Sequence, residues 1–179
     1  MSTLNPNRLA KLFFSVIFKS EDAANKTVSV ITKRWGDIDF KSDPMPFCHT
    51  KYYEKEFGPD LSRIFISLSN SIYRKEIVDV KIWTDSFERQ TAVKGLRMVN
   101  IDPGYVCLEQ VILATGKNYT HRVYLDEGVF ADLALVYEKG SFRTLQWTYP
   151  DYGEIATIEI FNKLRTMFLA DLRDQNKLE

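Results

Sequence analysis

The side chains best suited to chemistry in this sequence bunch at two points. Asn100, Asp102, Pro103 and Gly104 form the first, and Lys117, Asn118, Tyr119, His121 and Arg122 the second. His121 and His49 are the only two histidines, and histidine alone titrates near neutrality without perturbation, so a general acid or base is most simply one of them. Asp102 could act as its catalytic partner. Arg122 could grip a carboxylate or phosphate through two parallel hydrogen bonds, or pair with an acid such as Asp151. Lys117 and the aromatics Tyr52, Tyr119, Trp147 and Tyr149 would complete a ligand site. Each group also has an ordinary structural use: His121 hydrogen-bonded at a strand start, Asp102 capping a helix, and Tyr52 with Tyr53 packed at the core edge while Glu54 and Glu56 are solvated.

The stretch between these corners must position them. Arg97 to Ile101 reads as a strand ending at Asp102, and an Asp before Pro and Gly suits a helix entrance, because its carboxylate accepts from free N–H groups and Pro103 lacks one. Tyr105 to Thr115 is then expected to be a helix, apolar on most sides through Val106, Leu108, Val111, Ile112 and Leu113, and therefore buried. Lys11 to Phe18, apolar at both side-chain parities, reads as a central strand covered on both faces. Ser20, the acids Glu21 and Asp22, the bases Lys33 and Arg34, and Gly36 bracket a helix, with Ala24, Val28, Ile31 and Trp35 as its buried stripe. Asp37 to Phe40 can be a short strand, whereas Ser42 to Thr50, with Pro44 and Pro46, is expected to be largely irregular.

Arg63 to Leu68 alternates as a half-buried strand. Tyr73 to Thr91 carries both a helical stripe (Ile77, Val80, Trp83, Phe87) and a strand-like alternation; its length and lack of Gly or Pro favour helix. His121 to Leu125, Val129 to Tyr137 and Phe142 to Thr148 form a meander with turns at Gly128 and Gly140. Pro150 and Asp151 announce a last helix with the stripe Ile155, Ile158, Phe161, Leu164 and Phe168. The order implies an α+β fold: an antiparallel or mixed sheet with helices mainly on one face, a ferredoxin-like start extended by a meander.

A chain of 179 residues, 45% hydrophobic and 27% charged, fits one globular domain over residues 1–179 with frayed termini. Lys plus Arg and Asp plus Glu balance at 24 each. No basic footprint for nucleic acid or an anionic membrane is evident. Met1 to Arg8 has no apolar core of signal-peptide length and Leu12 to Phe18 is too short to span a bilayer, which makes the cytoplasm the default. Cys48 and Cys107 lack C-x-x-C spacing and read as reduced, structurally filled positions. So few His and Cys residues argue against a closed zinc site, and a carboxylate-held divalent cation is left open.

The segments TKYYEKEFG from Thr50, NIDPGYV from Asn100, KNYTHRVYL from Lys117 and WTYPDY from Trp147 together resemble the bacterial domain-of-unknown-function family numbered 4416, over most of the chain. The resemblance implies a small cytoplasmic protein and brings no established activity. Some members carry a loose GTP-binding label, but G-x-x-x-x-G-K-[ST] is not met: Val111 stands where the first glycine belongs and Asn118 where the hydroxyl belongs. The paired H-x-[ST]-x motifs of two-histidine phosphoesterases are missing too, since Thr50 and Lys51 follow His49 while Arg122, Val123 and Tyr124 follow His121. The reading is therefore small-ligand binding, of an anionic, phosphorylated or nucleotide-like molecule, with hydrolase or transferase activity open. The alternative is a non-catalytic interaction module exposing aromatics and Arg122. Cofactor and oligomeric state are not specified.

Overall fold

The computed structural model describes residues 8–48 and 54–174. Its elements are β1 (Leu9–Phe18), α1 (Glu21–Trp35), β2 (Ile38–Lys41), β3 (Met45–Phe47), the single-turn α2 (Glu54–Phe57), β4 (Leu61–Tyr73), α3 (Ile77–Gln90), β5 (Val99–Val106), β6 (Gln110–Thr115), β7 (Arg122–Asp126), β8 (Val129–Glu138), β9 (Ser141–Thr144) and α4 (Ile155–Asp174). The strands form one sheet in the order β2-β4-β1-β5-β6-β8-β7, with β3 added to β4 and β9 to β8. Every pairing is antiparallel. The run β2-β4-β1-β5, with α1 and α3 as crossovers, has the split β-α-β arrangement of a ferredoxin-like core, and β6 to β9 extend it as a meander.

β1 is central because both its parities are apolar. Leu12, Phe14 and Val16 pack with Ala24 and Ile31 of α1 and Ile77 and Val80 of α3. Phe13 points the other way, into a cluster with Phe65, Val106, Phe161 and Leu164. Two long helices thus share one face, as expected, and α4 lies on the opposite one. The α4 stripe holds for Phe161, Leu164 and Phe168, while Ile155 is 78% exposed. Lys11, at the start of the apolar run, is a buried cation: its ammonium donates to Asp39 (2.5 Å), Leu68 O (3.2 Å) and Asp171 (3.2 Å). With all three donors used, burial of the charge is compensated, and the end of α4 is tied to β1 and β2.

The main departure from expectation is the region from Asp102 to Thr115. No helix forms there: β5 continues through Pro103 and Gly104 to Val106, and Gln110 to Thr115 returns as β6. An apolar run without period fits a strand covered on both faces as well as a buried helix. The turn that divides it, closed by Cys107 N–H donating to Gln110 O (3.0 Å), contains neither Gly nor Pro. Asp102 therefore caps nothing. Smaller differences follow similar causes. Pro46 sits inside β3, which pairs with β4 on one side only, as a strand proline can. β9 ends at Thr144, short of Thr148, and Ser20 occupies the α1 N-cap position with no side-chain hydrogen bond. Gly36 does end α1, at φ 113°.

Gly104 is required by contact rather than by a turn. A Cβ there would lie 2.5 Å from Ile112 O and 2.5 Å from the Phe13 ring. Gly104→Ala is expected to destabilise the protein by about 1–3 kcal/mol through overpacking, read as a lower thermal midpoint; an unchanged midpoint would mean the two strands sit further apart than described.

Candidate functional site

β5 and β6 pair only over Gly104 to Val106. Beyond that they part, and the residue at the parting is Pro103. Amides two apart in a strand face the same edge, and the Ile101 N–H points away from β1, to the Glu88 carboxylate of α3 at 2.5 Å. Pro103 would present its donor on that same edge and has none, so the ladder to β6 cannot continue. Glu88 then satisfies the amide that a strand would otherwise have paired.

The gap is a cleft of about 700 Å³, within the usual range of small-molecule sites. Ser15, Ile17, Asn100 and Asp102 from β1 and β5 line one wall, with Ser15 opposite Asp102 and Ile17 opposite Asn100 in register. Ala114 to Lys117 at the end of β6, with Asp132 of β8, make the facing wall. Lys81, Asp85 and Glu88 enter from α3, one helical stripe at i, i+4 and i+7. Arg63 of β4 and the segment Tyr149 to Tyr152, bent by a short 3₁₀ turn beginning at Pro150, complete the lining.

Most charges here are matched. Arg63 holds Asp151 in a buried pair, Lys81 holds Asp85 at 2.8 Å, and Arg97 bridges Glu88 (2.9 Å), Glu56 (2.7 Å) and the Asn100 side-chain oxygen (2.8 Å). Asn100 in turn donates to Asp102 at 2.7 Å. That chain of bonds orients the Asp102 carboxylate, and among the described residues no cation closes a salt bridge with it. Burial acts against the Lys81 ammonium, but Asp102 and Asp85 outweigh it and hold its pKa above the ordinary value; Lys81 stays charged and is no amine nucleophile. Burial raises the Glu88 carboxyl, only partly offset by the Ile101 N–H and Arg97. Burial likewise raises the Cys107 thiol, so it is unreactive.

Of the residues singled out from sequence, Asp102, Lys117, Tyr149 and Asp151 line the cleft. Arg122 and His121 stand behind its wall, both on Asp132 Oδ2, at 2.8 and 3.4 Å. Strand alternation would send neighbours to opposite faces, but His121 lies in the turn before β7 and escapes it. Arg122 does not pair with Asp151. Its guanidinium donates to Asp132, to Lys117 O (2.8 Å) and to the Tyr149 hydroxyl (2.6 Å), bracing the wall rather than facing a ligand. Trp147 stacks on His121 (5.1 Å between centroids) and donates to Leu133 O. Tyr119 meets the His121 ring edge-on and is 63% exposed. Tyr52 and His49 lie outside the described residues. Sequence reasoning missed Ser15, Arg63, the α3 stripe, Arg97, Asn100 as a positioning group, and Asp132. The readable signal is parity: Ser15 in β1 is a polar residue among apolar ones, and Asn100 and Asp102 in β5 are polar residues two apart in an otherwise apolar strand.

Among the described residues no group of three His, Cys, Asp or Glu side chains is placed to hold a metal, and no helix is long and apolar enough to cross a membrane. The fold and cleft define an α+β protein with a ferredoxin-like core, extended by a meander and opened at one strand junction into a polar cavity. The chain belongs to the family described as Domain of unknown function (DUF4416), whose model matches residues 8–168. No curated protein and no solved structure shows significant similarity to it.

Glu56 makes a two-pronged bond with Arg97 (2.8 and 2.7 Å), and those bonds, opposed by burial, hold its carboxyl below the ordinary value of 4.5. A depressed carboxyl contributes stability above its unfolded pKa and loses it as pH falls through the folded one. Glu56→Gln should therefore lower stability at neutral pH by about 1–2 kcal/mol, with the gap to wild type closing as denaturation is followed below pH 4.5. A gap independent of pH would refute the ionic origin.

Proposed function

We propose that the protein binds a small polar ligand in the cleft between β5 and β6. The observation that carries this reading is Asp102, an oriented carboxylate in a cavity of about 700 Å³, held by Asn100 while Arg63, Lys81 and Arg97 make their ion pairs with other acids and the charge of Lys81 acts on it without a salt bridge. Sites of this size with a few convergent polar groups are the usual setting for small-molecule recognition. A phosphorylated or nucleotide-like ligand, the class expected from the sequence, would meet Lys117 on the wall. In a hydrolase or transferase reaction Asp102 would be the general base at the ligand, with His121 set against Asp132 behind the wall. Free Cys48 and Cys107 suit the reducing cytoplasm in which this reading places the protein.

The test is a thermal-shift screen of nucleotides, sugar phosphates, sugars and amines against wild type and Asp102→Asn. A ligand at a hundredfold excess over its dissociation constant stabilises the fold by about 2.7 kcal/mol, which for this chain length is a rise of roughly 5–10 °C. The expected outcome is such a rise in wild type and its loss in Asp102→Asn. A screen without shifts, or shifts indifferent to residue 102, would contradict the proposal.

A second reading, a protein-interaction surface, is supported at β7. This strand closes one end of the sheet and exposes Val123, Tyr124 and Leu125 beside Tyr119 and Trp147. Arg122 is buried against Asp132 and drops out of it. Sedimentation of wild type and Tyr124→Lys would show whether that edge carries association.

A further inference from the structure

We infer that the ligand of the cleft carries a protonated amine, and that this ammonium sits on Asp102 beside Ser15 and Tyr152. The inference rests on the small-ligand reading above and adds the chemical class. Two independent features support it. The first is the charge arrangement: Arg63, Lys81 and Arg97 each make an ion pair with another acid (Asp151, Asp85 and Glu88), and Lys81 reaches Asp102 through its charge without closing a salt bridge to it, so that among the described residues the side-chain hydrogen bond to Asp102 comes from the neutral amide of Asn100, through one carboxylate oxygen. The second is a hydroxyl without a partner. Tyr152 is 4% exposed, lines the cleft, and its phenolic oxygen makes no hydrogen bond of good geometry; the charges of Arg63, Asp102 and Asp151 and the neighbouring Ser15 hydroxyl act on it.

An ammonium has three donors and no acceptor. The free oxygen of Asp102, the Tyr152 hydroxyl and the Ser15 hydroxyl are three acceptors, drawn from neighbours in register on β1 and β5 and the segment above them. A bond from ammonium to carboxylate is roughly twice as strong as one between neutral groups, which favours an amine over a sugar hydroxyl at the same point. A bare divalent cation is disfavoured, because no three acids among the described residues converge to hold one. The Arg63 Nε is also without a hydrogen-bond partner, but its guanidinium lies over the Phe65 ring, 4.5 Å from the centroid; it is occupied by a cation–π contact and makes no call for an anion.

The experiment is calorimetric titration of the full chain with phenethylamine and butanediamine, each against its alcohol counterpart, phenethyl alcohol and butanediol, and with phenyl phosphate and ribose as further arms. Wild type should bind at least one amine about tenfold or more tightly than its alcohol. Asp102→Asn should lose that preference, and Tyr152→Phe, which keeps the ring packed, should weaken amine binding several-fold. Equal binding of amine and alcohol, or amine binding untouched in both variants, overturns the assignment. Binding of phenyl phosphate or ribose without either amine overturns it too while leaving the cleft as a ligand site. If no probe of any class binds, both the assignment and the small-ligand reading fail.

Discussion

The hydrogen bond from the Ile101 amide to the Glu88 carboxylate is the interaction on which the rest of the site depends. A sheet interior normally offers no room for a ligand, because each strand edge is taken by the next strand. Here Pro103 removes one donor from the edge that β5 would present to β6, and the two strands diverge. The amide thereby uncovered would carry a cost of about 1–3 kcal/mol if left buried and unpaired. Glu88, arriving from α3, supplies the missing acceptor. The sheet is opened at one rung without leaving its backbone unsatisfied.

Putting a carboxylate there has further consequences. Glu88 is itself buried, so it needs a cation, and Arg97 provides one. The fork of Arg97 reaches on to Asn100 and so fixes the amide that orients Asp102. On the opposite side Arg122 does comparable work for the meander: one guanidinium joins Asp132, the Lys117 carbonyl and Tyr149. The two arginines hold the two sides of the opening. Asp102 is the acid between them that neither takes up. Its charge helps keep the Lys81 ammonium protonated without closing a salt bridge to it.

The sequence disclosed the core more readily than the site. Lys11 to Phe18 shows its central position through apolar residues at both parities, and α1 shows its ends through acids, bases and Gly36; these are local signals. The segment from Asp102 to Thr115 differs from expectation because Asp-Pro-Gly suits a helix entrance as well as it suits a strand interrupted on one edge, and the difference lies in what the Ile101 amide meets, a residue of another element. His121 and Arg122 are chemically able side chains, yet the fold bonds Arg122 to Asp132 and sets His121 beside the same carboxylate. The acid that faces the cleft beside them, Asp132 itself, lies in an apolar strand whose partner could not be known in advance. Asn100 and Asp102 were visible as polar residues two apart, but their common face acquires meaning only when Ser15 is seen opposite.

The most direct measurement of this account is the hydrogen-exchange rate of the Ile101 amide, compared between wild type and Glu88→Leu. The account predicts an Ile101 amide in wild type that exchanges as slowly as amides inside the β1–β5 ladder, and one that exchanges fast in the variant while the ladder amides keep their protection. An Ile101 amide equally protected in both proteins would mean that another group closes this edge of β5, and the open junction described here would be wrong.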